Sequence, residues 1–95
     1  MMVRKQLFRQ TGGFDESLRV AFNDVDFCLR LRARGLAIVV TPHALLYHRQ
    51  SASRRALHPR EDVEVMSNRW RKELERDPFY NPNLSLRHAD HRLCV

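Results

Sequence analysis

Apolar residues change their spacing several times along the chain, and each change predicts an element. Residues 2–11 read as a strand end running into a short helix, with Leu7 and Phe8 inward and Arg4, Lys5, Arg9 and Gln10 outward. Gly12-Gly13 ends that helix, because tandem glycines accept positive φ without steric cost. The stretch "FDESLRVAF" then predicts an irregular turn anchored by Phe14, Leu18 and Phe22. From Asn23 to Arg34 the period is helical: Phe22, Val25, Cys28 and Leu29 share a face, and Phe27 and Leu31 widen it. Asn23 suits the N-cap, and Asp24 and Asp26 suit the positive end of the helix dipole. For Asp26 in particular, its place three residues after Asn23 predicts a carboxylate folded back onto free backbone N–H groups.

Gly35 closes this helix, and "LAIVV" predicts a buried strand rich in β-branched residues. "TPH" turns the chain into a second short strand, "ALLYH", which ends at His48. The polar, basic run "RQSASRRALHPR" reads as a loop and as the candidate mobile segment. A helix over 61–76 follows, with Val63, Met66, Trp70 and Leu74 as its stripe and Glu61, Asp62 and Glu64 at its acidic start. "DPFYNPNLSL" is proline-punctuated and extended, and residues 87–95 read as a disordered tail.

Composition narrows the classes. Ninety-five residues make one small domain or part of a larger one, and 43% apolar with 29% charged residues is ordinary for a globular chain. The longest apolar run is far short of the about 20 residues that cross a bilayer, and the amino terminus lacks the apolar core of a signal peptide. A cytoplasmic setting, or one peripheral to the inner membrane, is therefore the expectation. A net charge of +6 favours an anionic partner. Cys28 and Cys94 fit no metal spacing, and Cys28 falls inside the helical pattern as a small hydrophobe.

Candidate chemistry gathers where the long helix begins. Asp24 and Asp26 are two apart, about 200° around a helix, so they cannot act on one atom and must do different jobs. Asp24, in the first turn, can project beyond the helix end and accept a proton from a hydroxyl within about 2.6–3.2 Å.

The full string "GGFDESL…FNDVDFCLRLRARG", followed by "TPHALLYH" and then by "DPFYNPNLSL", resembles the carboxy-terminal half of the catalytic domain in family 2 glycosyltransferases, closest to the rhamnosyltransferase-like bacterial members. The likeness spans about residues 2–86. It implies an α/β fold: a partial GT-A (Rossmann-like) domain, its acceptor-side half, with short strands and two to three helices. It implies that residues 1–86 are the C-terminal portion of such a domain, and that Asp24 is the general base of an inverting sugar transfer from a nucleotide-sugar donor to a glycan or lipid-linked acceptor. In the family the acidic pair is usually Glu-Asp; here Asn23 replaces the Glu, which removes a neighbouring charge. Asn23 and Asp26 match acceptor-side positions. His48 matches a histidine that can ligate the divalent metal, Mn or Mg, on the donor diphosphate. Arg49, Arg54 and Arg55 could close over the phosphates as bidentate partners.

The nucleotide-binding half implied by the resemblance has no counterpart in these 95 residues. Without it the base lacks the orientation worth about 7–11 kcal/mol of a barrier, so the isolated chain is expected to be inactive and to associate, with itself or with a complementing N-terminal half. Two other readings compete. The charge, with Arg32, Arg34, Arg54, Arg55, Arg69 and Arg71, fits a small basic nucleic-acid-binding protein, although no known binding motif accompanies it. His88, His91 and Cys94 at three-residue spacing could contribute to a zinc site.

Overall fold

The computed structural model describes residues 1–47, 59–77, 80–85 and 87. Four helices form among them: α1 Lys5–Gln10, α2 Asn23–Ala33, α3 Arg60–Arg69 and α4 Arg71–Glu75. None is long and apolar enough to cross a membrane.

Helix α1 stops as its sequence requires. The Thr11 hydroxyl donates to the Leu7 or Phe8 carbonyl, 2.9 and 3.0 Å away, and Gly12 and Gly13 turn the chain at φ 81° and 67°. The Gly13 N–H closes the turn onto the Phe8 carbonyl. A Cβ at Gly13 would sit 3.1 Å from the Phe8 ring, so space as well as φ demands glycine there. The turn delivers Phe14 onto Phe8 and Phe27, three rings with centroids 5.2–5.8 Å apart in tilted and edge-on arrangements.

Among the described residues the buried apolar core is small: Leu18, Phe27, Leu31 and Met66. Helix α2 buries Asp26, Phe27 and Leu31, while Val25 is 43% exposed. The face expected to lead the packing, Phe22, Val25, Cys28 and Leu29, is thus the more open one, and the residues expected only to widen the stripe form the core. Helix α2 has two apolar sides, and periodicity alone does not say which one the rest of the chain covers.

Three further elements differ from expectation. The N-cap of α2 is Phe22, in the left-handed region at φ 65° and ψ 7°, and Asn23 is the first helical residue. The helix expected over 61–76 breaks at Trp70, which leaves helical geometry at φ −118° and ψ 27° and separates α3 from α4. "LAIVV" and the described part of "ALLYH" are not strands: residues 36–47 form no regular element and are exposed throughout. Their apolar side chains find too few partners among the described residues to be buried. Of the predicted mobile loop over 49–60, residues 49–58 lie outside the described residues while Pro59 caps α3 and Arg60 begins it; the tail from 88 onward also lies outside the described residues.

Candidate functional site

The loop between α1 and α2 is shaped by two carboxylates that reach it from elsewhere in the chain. Asp62, on the first turn of α3, is 1% exposed. It accepts three consecutive backbone N–H groups, from Arg19 at 3.2 Å, Val20 at 2.9 Å and Ala21 at 2.8 Å. Successive N–H groups curled around one anion form a nest, here filled by the protein itself. The Ala21 N–H above all, then those of Val20 and Arg19, hold the Asp62 carboxyl below its ordinary range against the opposing effect of burial.

Asp26 is the second hub and is fully buried. Its Oδ1 accepts from Arg69 at 2.8 Å and from the Trp70 indole N–H at 2.9 Å; its Oδ2 accepts from Arg30 Nε at 2.8 Å. Burial pushes this carboxyl upward, but the Trp70, Arg69 and Arg30 hydrogen bonds outweigh it and leave the group below its usual range. Arg69 also pairs with Asp15 at 2.7 Å, and these two carboxylates, Asp26 first, raise its own affinity for its proton. Arg30 continues to the carbonyls of Thr11 and Gly13 at 2.9 and 2.7 Å. Asp15 is held down to about 2 by Ser17, through hydroxyl and backbone N–H, and then by Arg69. One carboxylate therefore joins the end of α1, the Gly-Gly turn, α2 and the α3–α4 break.

This geometry corrects the capping role expected of Asp26. Its oxygens meet side chains of α2, α3 and the Trp70 break, and no free N–H of its own helix. Asn23 is likewise inside the framework: its amide donates to the Leu18 carbonyl, tying the loop to the start of α2. The helix is thus entered through a strained residue, Phe22, that is fixed from both sides. A non-glycine residue held near φ 65° costs on the order of 1–3 kcal/mol and persists where its surroundings over-determine it.

Asp24 points the other way and is exposed. Its Oδ1 accepts from the Val25 N–H at 2.9 Å, and the rest of the carboxylate faces a groove of about 740 Å³. The groove runs between α2 and residues 36–40, and its walls are apolar: Val25, Leu29, Leu36, Ile38 and Val39 among others. Cys28 also lines it; burial, then the Asp24 charge, pushes that thiol up and keeps it in its neutral form. Across Val25, Leu29 and Arg32 lies a second cavity of about 340 Å³ reaching Lys72 and Arg76. Asp24 and Asp26 thus face different surroundings, one an open groove and the other a closed ionic hub, as their spacing requires.

His48, Arg49, Arg54 and Arg55 lie outside the described residues, so the predicted metal and phosphate contacts have no geometry here. Among the described residues no group of three or more His, Cys, Asp or Glu side chains could hold a metal ion. Of the arginines that suggested nucleic acid, Arg69 is committed to Asp15 and Asp26, and Arg34 reaches the Gln10 carbonyl at 3.5 Å. Of the hub residues, Asp15 and Arg30 draw no expectation from the sequence, while Trp70, Asp62 and Arg69 enter it only as members of a helical stripe, an acidic helix start and a basic surface, none of which names the partners found here. The Asp26–Arg30 pair has a local signal, opposite charges at i and i+4. The others act across more than forty residues and leave no trace in spacing, beyond Asp62, Met66 and Arg69 sharing one face of α3.

No family model matches the chain, and no solved structure does. Among curated proteins, it is 42% identical over 98 residues to the uncharacterized protein y4gI of Sinorhizobium fredii (strain NBRC 101917 / NGR234), which covers 95% of this chain and 11% of that protein. It is 41% identical over 93 residues to the O-antigen biosynthesis protein RfbC of Myxococcus xanthus, covering 95% of this chain and 7% of that protein. The chain therefore spans about a tenth or less of the length of these relatives.

Proposed function

We propose that this chain is the acceptor-side part of a family 2, GT-A-type glycosyltransferase domain, with Asp24 as the general base of an inverting transfer. The observation that carries the reading is the exposed Asp24 carboxylate at the start of α2, facing an open groove while every other acidic group of the two hubs is consumed by structure. The similarity to a protein named for O-antigen biosynthesis supports a role in building a cell-surface polysaccharide.

In this reading an acceptor hydroxyl enters the groove and gives its proton to Asp24. The oxygen attacks the anomeric carbon of the donor sugar from the face opposite the diphosphate, whose bond to that carbon breaks. The apolar groove walls seat the non-polar face of the acceptor. Asn23, Asp26 and Asp62 act at one remove, by fixing the loop and helix start from which Asp24 projects. The donor's nucleotide pocket, and most ligands of the divalent metal that the resemblance implies, would come from beyond the described residues.

The test is a graft in which residues 1–95 replace the matching stretch of the Myxococcus protein, assayed for sugar transfer from nucleotide-sugar donors. Asp24→Asn in the active graft should cut turnover by about 10²–10⁴-fold with donor affinity preserved. Unchanged turnover, or loss of donor binding instead, would remove Asp24 from the role of base.

A further inference from the structure

The groove beside Asp24 carries a second charge at its far end. Asp24 and Arg32 are the charged side chains among its described walls, and both belong to α2, one in its first turn and one in its last. Eight residues separate them, about 12 Å along the helix axis, so the two cannot pair with each other. The α2 wall between them is uncharged: Val25, Leu29, and Cys28 with its thiol held neutral. Arg32 is exposed and also borders the smaller cavity toward α4. There Lys72 and Arg76 stand with Glu73 and Asp77, so three positive groups, Arg32 included, meet two negative ones.

We infer that Arg32 selects an acidic acceptor, one whose carboxylate sits at Arg32 while the hydroxyl to be glycosylated sits at Asp24. The inference rests on Asp24 being the base proposed above. The groove sorts the two ends of such a molecule by sign. An acid beside Asp24 meets like charge, and beside Arg32 it meets an excess of one positive charge. A carboxylate balances that excess, whereas a phosphate monoester, at about −1.5 to −2, overshoots it. A guanidinium presents five N–H donors, so Arg32 can keep a contact within the protein and still grip a carboxylate. The span from Asp24 to Arg32 is longer than one sugar ring, which puts the acid on a residue next to the one that is extended. The acceptor class is therefore a glycan containing an acidic sugar such as a uronic acid.

The experiment is an NMR titration of the 95-residue chain with cellobiouronic acid and with cellobiose, which differ by one carboxylate in place of one hydroxymethyl group. The acid should bind about tenfold more tightly and shift amides along 24–32 and 72–77. Arg32→Gln should abolish that preference, and Arg32→Lys should restore part of it. Arg71→Gln, which removes the same charge from α4 outside both cavities, should leave it intact. So should acetylation of the Met1 amino group, whose charge reaches Cys28 in the groove. Asp24→Asn should bind the acid at least as well as the original chain.

Equal behaviour of the two sugars, absence of binding included, overturns the proposal. So does a loss in Arg71→Gln or in the acetylated chain as large as that in Arg32→Gln, which would reduce the preference to net charge. Tighter binding of cellobiose carrying a phosphate monoester in place of that carboxylate overturns it as well. Any of these results leaves the base in place, because Asp24→Asn is judged by turnover of the graft. Retained turnover in that variant would remove the base and leave the preference for the acid measured here untouched.

Discussion

Replacing Asp26 by Asn probes the buried hub with almost no change of shape. The amide oxygen can still accept from Arg69 and the Trp70 indole, as Oδ1 does at 2.8 and 2.9 Å. The side chain's other end becomes an NH₂ group facing Arg30 Nε, where Oδ2 now accepts at 2.8 Å. One hydrogen bond to a charged group is lost, worth about 1.5–3 kcal/mol, and a donor is set against a donor. Two guanidinium groups also lose their shared counter-charge. Breaking a buried ion pair by removing one partner costs about 3–5 kcal/mol, but neither arginine is stranded. Arg69 keeps Asp15, and Arg30 keeps two carbonyls and some solvent. The low end applies, about 3 kcal/mol, a large share of the stability of so small a domain. Urea unfolding followed by helical circular dichroism measures the loss, and fluorescence of Trp70, the chain's one tryptophan, reports whether the indole leaves its place. A change below about 1 kcal/mol with unaltered tryptophan emission would refute the claim that this hub organises the fold.

Acid should act through the same groups. Asp15, Asp26 and Asp62 all have folded pKa values below the ordinary one, so the stability they contribute is present above about pH 4 and lost as pH falls through their depressed values, toward 2 for Asp15. Thermal melts should be flat from pH 7 to about 5 and fall steeply below 4; a flat profile down to pH 2 would contradict this. Gly13→Ala should destabilise by about 1–2 kcal/mol, from the positive φ and the 3.1 Å approach to Phe8 together, whereas Gly12→Ala meets no atom within 4 Å and should show the conformational cost alone. Asp62→Ala should make the Arg19, Val20 and Ala21 amides exchange with solvent much faster than the amides of α2, which hydrogen-exchange mass spectrometry or NMR would resolve. Asp24→Asn should leave stability within about 0.5 kcal/mol of the original, because the side chain is exposed and holds only its neighbour's N–H.

Much of the local structure was legible in the sequence. The Gly-Gly stop, the span of α2 to within a residue and its closure at Gly35 follow from turn chemistry and periodicity. Phe14 and Leu18 do anchor the loop as its apolar spacing suggests, Leu18 at 1% exposure and Phe14 against two rings. Asp24 was distinguishable from Asp26 by angle alone. What escaped was the partner of each charge. Asp62 and Arg69 read as ordinary members of an amphipathic helix, because their targets lie more than forty residues away and no periodicity encodes a contact between elements. The cap was misplaced by one residue because the preference for Asn at that position is a local average. Here the Asn23 amide is drawn to the Leu18 carbonyl and Phe22 takes the cap conformation. The β-branched run "LAIVV" was judged on propensity, which describes fitness for a sheet and cannot supply the neighbouring strand.

Asp62's hold on the 19–21 loop also has a consequence for how the protein is made. The three amides wait for a carboxylate that is translated 41 to 43 residues after them. At about 5–20 residues per second, that is roughly two to eight seconds in which the loop has left the ribosome's decoding centre before its clamp is synthesised. Until then the entrance to α2 lacks its clamp, so the direction in which Asp24 projects is set late, by the arrival of α3.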